Sequence, residues 1–257
     1  MATGRVLIAC EMMEDEVKSA LFQCEKESAS AGRIFEAPSL IWIERGYHTH
    51  PDKLREELRR RIEEAESSGY SGYSGYSGYS GCGGYSGYSG YSGCGEILLT
   101  FGLCGNSALG LKTRYARLVI PKYDDCINML LYTGTRKKRA LCEAGVLYYT
   151  HGWTKGENSF SGQYDRYVLK YGQKRAVRLM DLMYGGYKRV SIIDTGCFDI
   201  EETSVYAKNT ARVLKLEDDV VPGSNAILRK LISGEYDEDF IIHEAGEEVS
   251  EEDFCFI

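Results

Sequence analysis

The sequence has no excess of basic residues and no long apolar run, and each absence excludes a class of protein. The formal net charge is −7, whereas general nucleic-acid binding needs a basic surface to meet the phosphate backbone. The first apolar stretch covers only residues 6–10 and runs into acidic residues, so it is neither a signal peptide nor a membrane span. We therefore expect a cytoplasmic protein with no nucleic-acid or membrane partner.

Several familiar catalytic motifs are also missing. No GxGxxG follows the first predicted strand, and the chain has no GxxxxGK[ST], HExxH or GxSxG string, which removes the main support for dehydrogenases, P-loop enzymes, zincins and α/β-hydrolases. The nine cysteines cannot all pair within one chain, and a cytoplasmic protein rarely has a disulfide framework. Metal binding, redox chemistry or burial must account for them.

Short apolar runs alternate with helical patterns along the chain. Strands are predicted at residues 5–9, 40–43, 97–101, 117–120, 146–150, 190–194 and 240–243. Strand, helix and strand in repeated order indicate parallel sheets with right-handed crossovers. We expect an α/β fold of two Rossmann-like lobes with mainly parallel sheets, at residues 1–140 and 141–257. A single continuous sheet is the alternative.

The clearest helix begins near Pro51, a residue suited to the first helical position. Leu54, Leu58, Ile62 and Ala65 form one apolar stripe among charged residues, which is typical of a helix that packs on a core. Further helices are predicted at residues 14–27, 162–183, 200–214 and 225–233.

Residues 67–95 interrupt this pattern with an insertion of Ser-Gly-Tyr triplets, broken by Cys82 and closed by Cys94. Ordering so many glycines has a high entropic cost, which favours flexibility. Regular tyrosines among glycine and serine also fit an ordered, self-associating structure that would make a homo-oligomer. A metal or redox role for the two cysteines is the third reading.

Three cysteines and a histidine follow predicted strands, namely Cys10, His48, Cys104 and Cys126. The carboxyl ends of parallel strands lie along one edge of a sheet, so these residues should converge there. Thiolates with an imidazole suit zinc or an iron-sulfur cluster. We therefore predict a metal site, with ordinary core burial as the alternative for each cysteine.

Local features bear on the reactivity of these thiols. Gly102 and Gly105 flank Cys104 and permit unusual backbone angles and the close approach of a ligand. Cys126 opens a predicted helix, whose amino terminus should stabilise its thiolate. Glu11 should raise the pKa of its neighbour Cys10.

In the second half, the strings YYTHGW and IIDTGCFD also end strands. His151, Asp194 and Thr195 are predicted to meet a bound cofactor from the opposite lobe, although ordinary turn chemistry explains both strings equally well. The cysteines assigned to structure alone are Cys24, Cys142 and Cys197.

The strings IACE, GYHTHPDKLREEL, LLTFGLCGNSALGL, LVIPKYDDCINMLL, YYTHGW and IIDTG, in this order, resemble an uncharacterised family of archaea and anaerobic bacteria. That family is known as a domain of unknown function, with YGLCGNG and HDC as characteristic strings. Its members are often encoded near corrinoid-dependent methyltransferases. The resemblance implies a role in corrinoid-linked methyl metabolism, with a corrinoid protein or methyltransferase as partner. Where the family has His-Asp-Cys, this chain has Asp124, Asp125 and Cys126.

Three hypotheses for function follow. The first is a protein that binds a metal or iron-sulfur centre in the cleft between the lobes and supports corrinoid-linked one-carbon metabolism, with a corrinoid as a further cofactor. The second is a self-assembling scaffold driven by the insertion. The third is a thiol enzyme with Cys104 or Cys126 as nucleophile and His151 as base.

Overall fold

The computed structural model describes residues 4–67, 94–134, 142–156 and 159–255. Within these ranges the chain is an α/β protein with two mainly parallel sheets, as predicted. Residues 68–93 of the Ser-Gly-Tyr insertion lie outside the described residues, and so do the predictions made for Cys82 and for self-association.

The first sheet has five strands, which are β1 (Gly4–Cys10), β2 (Ser39–Ile43), β3 (Cys94–Leu99), β4 (Arg117–Pro121) and β8 (Phe240–His243). Their order across the sheet is β2-β1-β3-β4-β8. The first four are parallel, whereas β8 runs antiparallel to β4. The last strand of the chain thus belongs to the first sheet, and the division at residue 140 stays a prediction.

The central strands of this sheet are almost continuously apolar, as expected for a sheet covered on both faces. Leu7, Leu98 and Val119 are paired with one another across β1, β3 and β4, and all three are fully buried. Helix α2 (Pro51–Ser67) packs on β1 and β3. The predicted stripe is confirmed, because Leu54, Leu58, Ile62 and Ala65 are all buried.

The second sheet has three parallel strands, which are β5 (Val146–Tyr149), β6 (Arg189–Asp194) and β7 (Glu217–Pro222). Their order is β5-β6-β7. The single-sheet alternative is therefore wrong. The sequence pattern does not predict β7, because this strand begins Glu-Asp-Asp and most of its side chains remain exposed or half-exposed at the edge of the sheet.

The remaining helices are α1 (Glu14–Ser30), α3 (Cys126–Leu131), α4 (Phe160–Tyr171), α5 (Gln173–Tyr184), α6 (Ile200–Leu214) and α7 (Ala226–Ser233). The single helix predicted at residues 162–183 is wrong. Gly172, with φ of 77°, ends α4 and starts α5, since this backbone conformation is accessible to glycine but not to a continuing helix. No helix in the described ranges combines the length and the apolar character needed to cross a membrane.

Candidate functional site

The three predicted cysteines lie at the carboxyl ends of neighbouring strands. Cys10 is the last residue of β1, Cys104 lies in the turn after β3, and Cys126 begins α3 after β4. Strands β1, β3 and β4 are adjacent and parallel. The thiols are close enough to oppose one another's ionisation, because Cys10 raises the pKa of Cys104 and both raise that of Cys126. The structure thus brings the three together.

Backbone hydrogen bonds fix the turns that carry these thiols. The Cys10 N–H donates to Thr100 Oγ1 at 3.0 Å, which ties the end of β1 to the end of β3. The N–H of Leu103 donates to Tyr123 O and the N–H of Cys104 to Asp124 O, both at 2.8 Å. The turn after β3 is therefore bonded directly to the turn after β4.

Two glycines permit this close contact, in part as predicted. A Cβ atom on Gly102 would lie 2.1 Å from the carbonyl oxygen of Tyr123, so only glycine fits there. Gly105 has φ of 65°, a conformation that side chains other than glycine rarely adopt. The close approach at Gly102 is to the protein backbone.

Cys104 itself adopts a left-handed backbone conformation, with φ of 45°. For a residue with a Cβ this conformation costs about 1–2 kcal/mol. Such strain persists only where the surrounding structure imposes it, and it is concentrated at functional sites. It singles out Cys104 among the three cysteines.

Burial dominates the chemistry of the three thiols. It raises the pKa of Cys10 to about 11 and that of Cys104 to about 12, and it raises the pKa of Cys126 well above its usual value. Cys104 and Cys126 keep some solvent-exposed surface, but their sulfur atoms are densely surrounded. All three are neutral thiols at neutral pH when no cation is bound.

The expected thiolate at Cys126 is thus wrong for the metal-free protein. Cys126 does begin a helix, but burial and the neighbouring thiols of Cys104 and Cys10 outweigh any benefit from the helix amino terminus. Asp125 and Glu16 raise its pKa further. At Cys10, Glu11 acts in the predicted direction, although burial has the larger effect.

The donor set suits a soft cation better than an anion. The titratable side chains that raise the pKa values of Cys104 and Cys126 are other thiols and carboxylates. Thiolates are the preferred ligands of zinc and of iron-sulfur clusters. Within the described residues, no three Cys, His, Asp or Glu side chains already form a metal-ligand set. Ligation of one ion by all three cysteines therefore requires an arrangement of these residues that differs from the present one.

The predicted histidine ligand lies on the neighbouring strand end. His48 belongs to a 3-10 turn, Arg45–Thr49, after β2, and β2 is the neighbour of β1. Its side chain lies outside the described part of the structure, so its role as a ligand stays a prediction.

The second sheet turns its own carboxyl edge toward the first. His151 follows β5, and its Nδ1 lies 2.9 Å from Asp15 Oδ2, at the start of α1. The Nε2 atom lies 3.7 Å from Glu202 Oε2. Thr195 follows β6, and its hydroxyl donates to Glu16 Oε1 at 3.1 Å. His151 and Thr195 thus both contact the first turn of α1, the helix that follows β1 of the first sheet.

Asp194 has a more local role. One carboxylate oxygen accepts the N–H of Gly196 at 3.0 Å, which is a turn of the kind that aspartate commonly stabilises. This contact fits the turn reading of the IIDTG string. A contact of Asp194 with a cofactor stays a prediction.

Glu16 is a functional candidate that no motif in the sequence indicated. Its side chain is 1% exposed, and burial raises its pKa to about 7. It lies on α1 with buried Ala20 and Cys24 at spacings of four and eight residues, so it occupies an otherwise apolar helical face. An acid within an apolar stripe is the signal that could have identified it.

The comparisons with known proteins give a family without a function. A family model described as a protein of unknown function, DUF1638, matches residues 42–232. The matched range contains Cys104, Cys126, His151 and Thr195, whereas Cys10 precedes it. No curated protein and no solved structure shows a significant match to the chain. Because the match covers most of the sequence, the chain belongs to the DUF1638 family of proteins of unknown function.

Proposed function

We propose that this protein binds a soft metal ion, zinc or the iron of an iron-sulfur cluster, through the thiolates of Cys10, Cys104 and Cys126. The observation that carries the proposal is the convergence of these three cysteines at the ends of adjacent strands β1, β3 and β4. Three thiolates satisfy three positions of a four-coordinate centre and leave one position open. His48 is the proposed fourth ligand or a neighbour of the open position.

The electrostatics of the cysteine cluster argue against a nucleophilic thiol in the metal-free protein. A reactive cysteine needs a lowered pKa, whereas burial raises the pKa of Cys104 and Cys126. The predicted base, His151, contacts Asp15, Glu202 and Phe198. A bound cation would offset the repulsion among three thiolates and nearby carboxylates, and its binding would release their protons.

The proposed cellular role is broader than the site. Support of corrinoid-linked methyl metabolism, a corrinoid cofactor and a methyltransferase or corrinoid-protein partner are carried by the family resemblance alone. In this proposal His151, Asp194 and Thr195 contact a bound cofactor other than the metal, and the protein is cytoplasmic. Whether it turns over a substrate depends on what occupies the open coordination position.

The test is metal and sulfide analysis of protein purified without oxygen, with an absorption spectrum. The wild type is compared with Cys10→Ser, Cys104→Ser and Cys126→Ser. Cys24→Ser is the matched control, because Cys24 is also buried, with a pKa of about 11, but it contacts the carbonyl of Arg229 away from the cluster. We expect stoichiometric metal that each site variant loses and the control keeps. Wild-type protein that stays metal-free even after reconstitution would contradict the proposal.

Self-assembly through residues 67–95 stays a separate hypothesis. Deletion of this segment should leave the metal content unchanged if the two roles are independent. An unchanged size distribution after deletion would count against a scaffold.

A further inference from the structure

The carboxyl edge of the second sheet contacts the two segments that directly follow Cys10 and Cys126. The segment after Cys10 is the 3-10 turn Glu11–Met13 and the first turn of α1, and the segment after Cys126 is helix α3. The residues that follow each of the three strands of the second sheet contact one of these segments.

The strand β5 ends against the turn after Cys10. Gly152 packs so closely that a Cβ atom there would lie 2.0 Å from the carbonyl oxygen of Met12. Met12 lies two residues after Cys10, in the 3-10 turn Glu11–Met13 that begins at Cys10. The position of Met12 therefore links Gly152 to the environment of the Cys10 sulfur.

The strand β6 ends against the start of α1. The hydroxyl of Thr195 donates to the buried carboxyl of Glu16 at 3.1 Å. Glu16 lies in the first turn of α1, which follows the 3-10 turn Glu11–Met13 after Cys10. One hydrogen bond from the loop after β6 thus holds the segment that follows Cys10.

The strand β7 ends against α3. The N–H of Ser224 donates to Leu130 O at 2.8 Å, and a Cβ atom on Gly223 would lie 3.0 Å from the same oxygen. Because α3 is a single short helix from Cys126 to Leu131, a shift at Leu130 moves Cys126.

Cys104 is held differently, by the first lobe. Its N–H donates to Asp124 O, and a Cβ atom on the adjacent Gly105 would lie 2.9 Å from Pro51 Cγ. The guanidinium of Arg55 donates to Asn106 O at 2.7 Å. These partners all belong to the five-stranded sheet or its connections.

We infer that the three-stranded sheet is a positioning element for the thiol site, because its loops pack on the segments that begin at Cys10 and Cys126, whereas Cys104 is held by the five-stranded sheet and its connections. Displacement of that sheet would change the spacing of the thiols. Gly152 and Thr195 are the positioning residues. The part of this inference that concerns metal rests on the proposed function, whereas the coupling of the sheets to the thiols does not.

The test uses Gly152→Ala in the full chain, with Gly186→Ala as the matched control. Gly186 lies in the same lobe, a Cβ atom added to it would meet no atom within 4 Å, and it has no positive φ. We measure the labelling rate of each cysteine in metal-free protein with N-ethylmaleimide and mass spectrometry. We expect Gly152→Ala to label faster at Cys10 and Cys126 than the control does, with Cys24 and Cys94 unchanged as reporters of global unfolding.

Zinc affinity gives the second readout. Displaced positioning partners typically weaken a metal site by about 10–100-fold, and we expect a loss of that size in Gly152→Ala but not in Gly186→Ala. If Gly152→Ala does not fold, Thr195→Val takes its place, because it removes the donor to Glu16 without adding volume.

The outcomes separate the two proposals. Faster labelling at Cys10 and Cys126 in a chain that binds no metal would support the positioning role and contradict the proposed function. Wild-type labelling and wild-type zinc affinity in both positioning variants would overturn the positioning role and leave the metal site standing.

Discussion

Replacing Glu16 by glutamine should change how the stability of the protein depends on pH. The Glu16 carboxyl is almost fully buried, and burial raises its pKa from 4.5 to about 7. The Thr195 hydroxyl and Lys155 act in the opposite direction without reversing the effect. The folded protein therefore prefers the protonated carboxyl.

The sign and size follow from proton linkage. Between pH 4.5 and about 7 the folded chain keeps a proton at Glu16 that the unfolded chain releases, so the free energy of unfolding falls as the pH rises through this window. One pH unit corresponds to about 1.4 kcal/mol, which gives a total of about 3 kcal/mol. Glutamine has no such proton, so the variant should gain up to about 3 kcal/mol relative to wild type between about pH 5 and about pH 8.

The assay is urea unfolding of metal-free protein at four pH values from about 5 to about 8, across the window in which Glu16 titrates. Glu25→Gln is the control, because Glu25 is an exposed carboxyl on the same helix. We expect the difference between Glu16→Gln and wild type to grow with pH, and the difference for the control to stay level. A Glu16→Gln difference that is the same at every pH would refute the argument that this carboxyl is ionised at a cost.

Two further predictions concern the frame around the site. Glu66 is buried at the end of α2, and its carboxylate accepts hydrogen bonds from the N–H groups of Arg114, Tyr115 and Ala116. Glu66→Ala should therefore lower the free energy of unfolding by about 3 kcal/mol, measured by denaturant unfolding. We expect a smaller loss in Glu66→Gln. Cys104→Gly should be more stable than Cys104→Ala by about 1 kcal/mol, because glycine relieves the left-handed strain, and equal stability of the two variants would contradict that strain.

The sequence pattern predicts the first sheet well, because its strands are short apolar runs with few alternatives. It fails at β7, where Glu217 and Asp218 are exposed. This strand pairs with β6 at the edge of its sheet, so it has no buried apolar pattern that would reveal it. The sequence pattern also fails at Gly172, since an isolated glycine within a helical pattern does not reveal its own φ. The antiparallel direction of β8 depends on the path by which the chain returns to β4. The spacing of apolar residues carries no information about that path.

The same limit applies to the site. Convergence of Cys10, Cys104 and Cys126 follows from strand order, because carboxyl ends of parallel strands share an edge. Their raised pKa values depend on burial and on one another, which local sequence does not contain. Glu16 and Gly152 owe their roles to contacts between the sheets, and no local pattern predicts which loops face each other.

The backbone strain at Cys104 bears on whether this thiol is a metal ligand or a core contact. A left-handed residue in a tight turn is most easily satisfied by glycine, and the residues on either side of the turn, Gly102 and Gly105, are glycines. The backbone bonds of Cys104 and the packing of Gly105 on Pro51 impose the conformation. A buried contact does not require a cysteine in that backbone state, because glycine would adopt it with less strain. The thiol at this position therefore comes with a conformational cost, and this cost supports the proposal that Cys104 is a metal ligand.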